Sequence, residues 1–440
     1  MFKKKGEYSL NILIRNGHVV DPKSHREGYF DILISGDRIK KVAHNINADE
    51  LNMAPDRIID ATGKYVMPGF IDLHVHLREP GYEYKEDIIS GSMAAAAGGF
   101  TTICAMPNTK PVMEQPDIIK AVLDKAKKAA VNVLPVAAIT VGQEGKTLTD
   151  IPALIKAGAV AISEDGKSVM DTAIYARAMK EAAELGIPVF AHCEDKALAE
   201  GGVINAGEKA NELGLPGITN GAEDVIVARD IILAKETGAR LHLCHCSTEG
   251  SAYMLKLAKE NGLNITGETC PHYFTLSDSD IPGDDSNYKM NPPLRSRKDV
   301  EAIKEALRND IMDVIATDHA PHSEKEKDRS MLEAPFGIIG LETAFSLTWT
   351  ELVMTNKLTC RQLVEKMSVN PAKILGIDRG GLNEGEVADV VIADPGTEYV
   401  IDKEKFLSKG RNTPFHGRKV RGRILYTIVS GIIKYEYERL

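Results

Sequence analysis

The sequence predicts an α/β protein: a (β/α)8 TIM-like barrel with a small β-sandwich domain formed by its N- and C-terminal segments. Three observations carry this. Eight short apolar runs of β type in the middle of the 440-residue chain alternate with stretches of helical periodicity, the pattern of a parallel sheet with crossover helices. Both ends lack that periodicity and read as short strands between Gly, Asp and Pro turns. Neither end is long enough to bury a core alone, so the two must share one. The expected division is 1–64 for the N-terminal part of the sandwich, 65–377 for the barrel and 378–440 for the remainder.

Taken in order, the N-terminal strands are NILIRNGHVV and FDILISGDRIKKVA. The barrel strands are VMPGFIDLHVH, TTICAMP, NVLPVAAIT, AVAISED, IPVFAHCED, RLHLCHC, NITGETC and DVIATDHA. Helical segments between them include DIIKAVLDKAKKAA at 117–130 and TAIYARAMKEAAELG at 172–186. The C-terminal strands are ADVVIADP and RKVRGRILYTIVSGIIKYE. No internal repeat is visible.

Composition narrows the function classes. A net charge of −9 argues against a general nucleic-acid surface, which needs clustered Lys and Arg. An anionic ligand must therefore meet a local positive site. No apolar stretch is long enough to span a bilayer, and the lysine run at 3–5 is not followed by a signal-peptide core. Six cysteines without a CxxC pair predict a reduced, cytoplasmic protein.

Catalytic groups of such barrels sit at the C-terminal ends of strands. Here His74 and His76 close strand one, Asp165 strand four, His192 strand five, His245 strand six and Asp318 strand eight. Four histidines and two carboxylates at one mouth suit a borderline divalent metal, zinc above all. Strand alternation would send Asp72, His74 and His76 to one face, and Cys244 and Cys246 away from His245 towards the helices. A single strand-end histidine needs only a hydrogen-bond partner; the coincidence of six residues on five strands favours a metal. His242 is read as structural, His272 after strand seven fits either a structural or a functional role with the structural one favoured, and His18, His25, His44 and His416 are read as surface residues. The charged run SEKEKDRS at 323–330 reads as a solvated loop, placed after strand eight where a lid could lie.

The motifs GFIDLHVHLREPG, AMPNT, SEDG, AHCED, LCHCST, KMNPPLRS, ATDHAPH and APFGIIGLET, in that order, resemble the bacterial class I dihydroorotases of the amidohydrolase superfamily. The resemblance runs from about residue 10 to the C-terminus. It implies two Zn2+ per subunit and the reversible cyclisation of N-carbamoyl-L-aspartate to L-dihydroorotate in pyrimidine biosynthesis. His74, His76 and Asp318 would hold one metal, and His192 and His245 the other. Asp165 and a hydroxide would bridge them, and Asp318 would also move the proton. Substrate contacts would come from His76, Arg78, Asn108, Asn291, His322 and the Phe336-Gly337 backbone. Homodimerisation and association with aspartate transcarbamoylase are partner expectations of the same kind. Two alternatives stand beside it. One is a hydantoinase, dihydropyrimidinase or allantoinase, which generally use a carboxylated lysine as the bridge. The other is a scaffold relative that has lost its metal ligands.

Overall fold

The computed structural model describes residues 11–47 and 54–437; the lysine run at 3–5 lies outside the described residues. The barrel strands are Phe70–Val75, Phe100–Ala105, Asn132–Ala138, Ala161–Ser163, Pro188–Ala191, Arg240–Leu243, Ile265–Thr269 and Val314–Ile315. They pair in parallel in chain order. The ring closes where Val75 bridges His319 and the His76 N–H donates to the His319 carbonyl at 2.8 Å. Ile71, Leu73, Cys104, Val136, Phe190 and Val314 come from five different strands yet form one cluster. Only a position on the barrel axis brings them together. The strands are buried on both faces, which is why they read as continuous apolar runs.

The helix Thr172–Leu185 matches its expected span. Asp171 caps it by accepting from the Ala173 and Ile174 N–H groups, and Gly186 at φ +69° ends it. The segment expected at 117–130 is helical only over Pro116–Ala126. Its last turn is diverted because the Ala130 N–H donates to Ser92 Oγ on the preceding helix, Ile88–Ala97, at 2.9 Å.

The terminal segments form one eight-stranded sheet. Its linking strand, Tyr65–Pro68, pairs in parallel with Asn11–Asp21 and antiparallel with Val390–Val400. The run 66–76, expected as a single barrel strand, is thus two strands, and 65–68 lie in the sandwich sheet. The break falls at Gly69, where a Cβ would meet Thr101 Cγ2 at 2.3 Å. Ile12, Ile34, Val66, Val390 and Ile428 pack in one cluster, so both ends do supply a single core. Among the described residues no helix is long and apolar enough to cross a membrane, and all six cysteines are free.

Candidate metal centre

Asp165 stands at the middle of the barrel mouth. Its Oδ1 lies 3.1 Å from His74 Nε2, 3.7 Å from His192 Nδ1 and 3.8 Å from His245 Nε2. Its Oδ2 lies 3.5 Å from His76 Nε2. Asp318 Oδ1 lies 3.1 Å from His76 Nε2 and 3.6 Å from His74 Nε2. His192 Nδ1 and His245 Nε2 are 2.9 Å apart. The six residues predicted from strand ends therefore meet, and Asp165 belongs both to a group with His74 and His76 and to one with His192 and His245.

These spacings fit metal ions. Four donors at about 2.0–2.1 Å from a tetrahedral zinc stand roughly 3.3 Å from one another, the middle of the range observed. The tautomers fit as well. His74 Nδ1–H donates to Glu268 Oε1 at 3.0 Å, and His76 Nδ1–H to Asn108 Oδ1 at 2.9 Å. Each ring turns its Nε2 towards carboxylate oxygens, the place where a metal ion would sit between them. His74 Nε2 is buried without a hydrogen bond. Burial pushes the Asp165 and Asp318 carboxyls up, but His74, His76 and His245 outweigh it and hold both well below the usual carboxylate range. Both acids are anionic ligand candidates.

Backbone strain marks the same place. Arg78, His245 and Asp318 have φ of +61°, +36° and +47°, a region costly for residues other than glycine. This overturns two expectations based on alternation. Strand six ends at Leu243, and His245 turns back to the mouth through its left-handed conformation. Cys244 therefore packs on the barrel axis beside Phe190, while Cys246 alone faces the helices. In strand one the register shifts between Asp72 and Val75. Ile71 and Leu73 pack on the axis, His74 and His76 reach the mouth, and Asp72 instead accepts from Thr317 Oγ1 at 2.6 Å. Asp72 is not part of the centre.

The cleft above Asp165 is lined by Arg78, Asn108, Asn291, Phe336 and Gly337 besides the histidines. Asn108 Nδ2 donates to Asp165 Oδ2 at 3.1 Å, and Asn291 Nδ2 to Glu194 Oε1 at 2.7 Å. Gly337 has φ +129°, and a Cβ there would lie 2.7 Å from Ala320 Cβ. His322 stands behind this lining. Its Nε2–H donates to the Phe336 carbonyl at 2.8 Å, and its Nδ1 accepts from Lys85 Nζ at 3.3 Å. Burial, then the charges of Arg78, Lys85 and Lys327, push its imidazolium form down, so it is neutral. Arg78 Nε donates to the Pro321 carbonyl at 3.1 Å. Among the described residues Arg78 has no carboxylate partner; Glu79, the nearest in sequence, pairs with Lys125.

Three contributors escaped the sequence reading. Glu268 joins His74 to His242, whose Nε2 lies 3.1 Å from Glu268 Oε2. Its signal was a charged residue inside an otherwise buried strand. Glu194 follows His192 and reaches within 3.5 Å of its Nε2. Lys327 lies in the charged run read as solvated, but it is 93% buried on the helical turn Glu324–Lys327. His272 is buried, meets Tyr273 edge-on with ring centroids 4.1 Å apart, and is pushed down to about 4 by burial.

Comparison with known proteins separates the alternatives. The Dihydro-orotase-like family model matches residues 63–251. The curated dihydroorotase of Pelotomaculum thermopropionicum is 48% identical over 96% of this chain and 98% of its own length. That of Acetivibrio thermocellus is 48% identical over 96% and 98%. The chain belongs to the dihydroorotase family. It is a cyclic amidohydrolase. Solved structures show how far the dihydroorotase fold is shared: the L-hydantoinase (dihydropyrimidinase) of Arthrobacter aurescens superposes with a TM-score of 0.85 at 26% identity, covering 98% of this chain and 97% of that one. The dihydropyrimidinase of Brevibacillus agri gives 0.82 at 26% identity over 96% and 95%.

Proposed function

We propose that the protein is a dihydroorotase that interconverts N-carbamoyl-L-aspartate and L-dihydroorotate with two zinc ions in its barrel mouth. The observation that carries this is the pairing of a complete donor set around Asp165 with Arg78, a cleft-lining guanidinium free of any carboxylate among the described residues. His74, His76 and Asp318 would hold one ion, His192 and His245 the other, and Asp165 both. Lys156 is exposed on the helix Ile151–Ala157, and Lys167 is exposed beyond Gly166, so neither lysine supports a carboxylated bridge.

Bound divalent metals acidify a water and polarise a carbonyl. The chain's own groups do the rest. Arg78 grips the substrate carboxylate that does not react, through a planar fork matched to it. Asn108 and Asn291 orient the ring. In hydrolysis a water oxygen adds to the ring carbonyl and the ring C–N bond breaks. Asp318, anionic beforehand, takes the water proton and hands it to the departing nitrogen. The new carboxylate releases a proton to solvent, so ring closure consumes one. Acid then favours dihydroorotate by about tenfold per pH unit.

The test is metal analysis of one purified sample, with turnover of dihydroorotate, hydantoin and allantoin. Dihydroorotate turnover with a pH-dependent equilibrium is expected. Preference for hydantoin or allantoin would replace this reading with its rival, and a ratio independent of pH would rule out ring opening to a carboxylate altogether.

A further inference from the structure

We propose that Lys327 is a positioning residue: its buried ammonium ties down the loop 334–337 that walls the substrate cleft. The proposal rests on the dihydroorotase reading for its substrate, not for its geometry. Lys327 Nζ donates to the carbonyls of Lys289 at 3.3 Å, Pro335 at 3.1 Å and Gly337 at 3.1 Å. An ammonium has three donors and no acceptor, and here each donor meets a carbonyl. Lys289 works from the other side. Its Nζ donates to the Ala334 carbonyl at 2.6 Å and stands 4.4 Å from the Phe336 ring centroid. Its own carbonyl accepts from the Gly337 N–H at 3.0 Å.

With His322 on the Phe336 carbonyl, every carbonyl from Ala334 to Gly337 is held. Three of the four are held by a lysine. This is costly chemistry for a structural strut alone, because a neutral donor would carry less desolvation penalty. Neither Lys289 nor Lys327 has a carboxylate within 4.0 Å among the described residues. Burial, with the charge of Lys289, pushes Lys327 down to about 7 against the pull of Asp285. Lys289 and the protonated form of Lys327, neither of them paired with a carboxylate among the described residues, favour an anionic occupant of the cleft, which in turn would favour the ammonium of Lys327. In a chain of net charge −9 they, with Arg78, supply the local positive site that a carboxylate-bearing substrate requires.

The experiment compares the metal-loaded wild type with Lys327→Met, Lys327→Gln and Lys327→Arg. Lys327→Met is expected to raise KM for dihydroorotate at least tenfold, leaving kcat within about threefold and metal content unchanged. Lys327→Gln keeps two donors without the charge and should lie between, and Lys327→Arg should stay nearer wild type. Amide exchange at Gly337 should quicken in the Met variant while barrel-strand amides hold. A lowered Tm with unchanged KM would mean a strut only and overturn the proposal, as would a fall confined to kcat. If Lys327→Met does not fold, the Gln and Arg variants decide it by the same KM order. Should the wild type fail to turn over dihydroorotate, the functional reading fails; unchanged exchange at Gly337 in the variants is what would sink the role of Lys327.

Discussion

Arg78 presents its guanidinium to the cleft, anchored by the Pro321 carbonyl. The expected outcome of Arg78→Met is retained metal and a loss of substrate binding of about 2–5 kcal/mol, the usual effect of removing a buried charged partner. Arg78→Lys should recover only part, since a point charge cannot reproduce the fork. A KM series with an analogue lacking the free carboxylate checks this: the analogue should lose little further in the Met variant. Asp318 is the complementary case. Its Oδ1 lies 3.1 Å from His76 Nε2, and the surrounding histidines keep it anionic. Asp318→Asn keeps the shape and removes the base, so kcat should fall by roughly 10²–10⁴. Near-normal kcat with full metal content would assign the proton to another group. The residue types at both positions were legible in HLREPG and ATDHAPH. Their left-handed backbones, which aim them at the cleft, were not.

At the scale of elements, the centre depends on strands held at fixed spacing around a packed axis. Phe190, on strand five two residues before His192, is completely buried beside Cys244, with its ring tilted against that of His242 at a centroid distance of 5.2 Å. Phe190→Ala should cost about 3–5 kcal/mol, read as a shift in the denaturant midpoint. A change below about 1 kcal/mol would mean that the axis can collapse around the gap. The eight strands were visible because each is a short apolar run buried on both faces. Which side chains face the axis was not visible at strands one and six. A register shift near Asp72 and the turn at His245 break the period of two on which any alternation argument rests.

Across the whole molecule, the barrel and the C-terminal segment meet at Glu342. Its carboxylate accepts from the Leu407 N–H at 2.9 Å and the Ser408 N–H at 3.0 Å. Burial, aided by the charge of Glu86, outweighs those bonds and pushes Glu342 from 4.5 up to about 7. The folded chain then keeps a proton that the unfolded chain loses between these values. Stability should fall as pH rises through that window and level off above about 7, by at most about 3 kcal/mol. Glu342→Gln does not titrate, so its Tm advantage over wild type should grow from pH 4.5 to 7 and then stay constant. A difference flat across that range would show that Glu342 remains charged.

By itself the sequence determined the barrel, the shared core of its two ends and the six metal-ligand candidates. Each depends on local pattern: apolar runs, their alternation with helices, and polar residues where those runs stop. The tertiary structure alone decided that Tyr65–Pro68 links the two terminal segments, that Glu268 and Asn108 set the imidazole tautomers, and that Lys327 is buried under the cleft wall. These contacts join residues far apart in the chain. A charged or polar residue in a sequence shows what it can donate or accept, but only packing determines which partner stands within 3 Å of it.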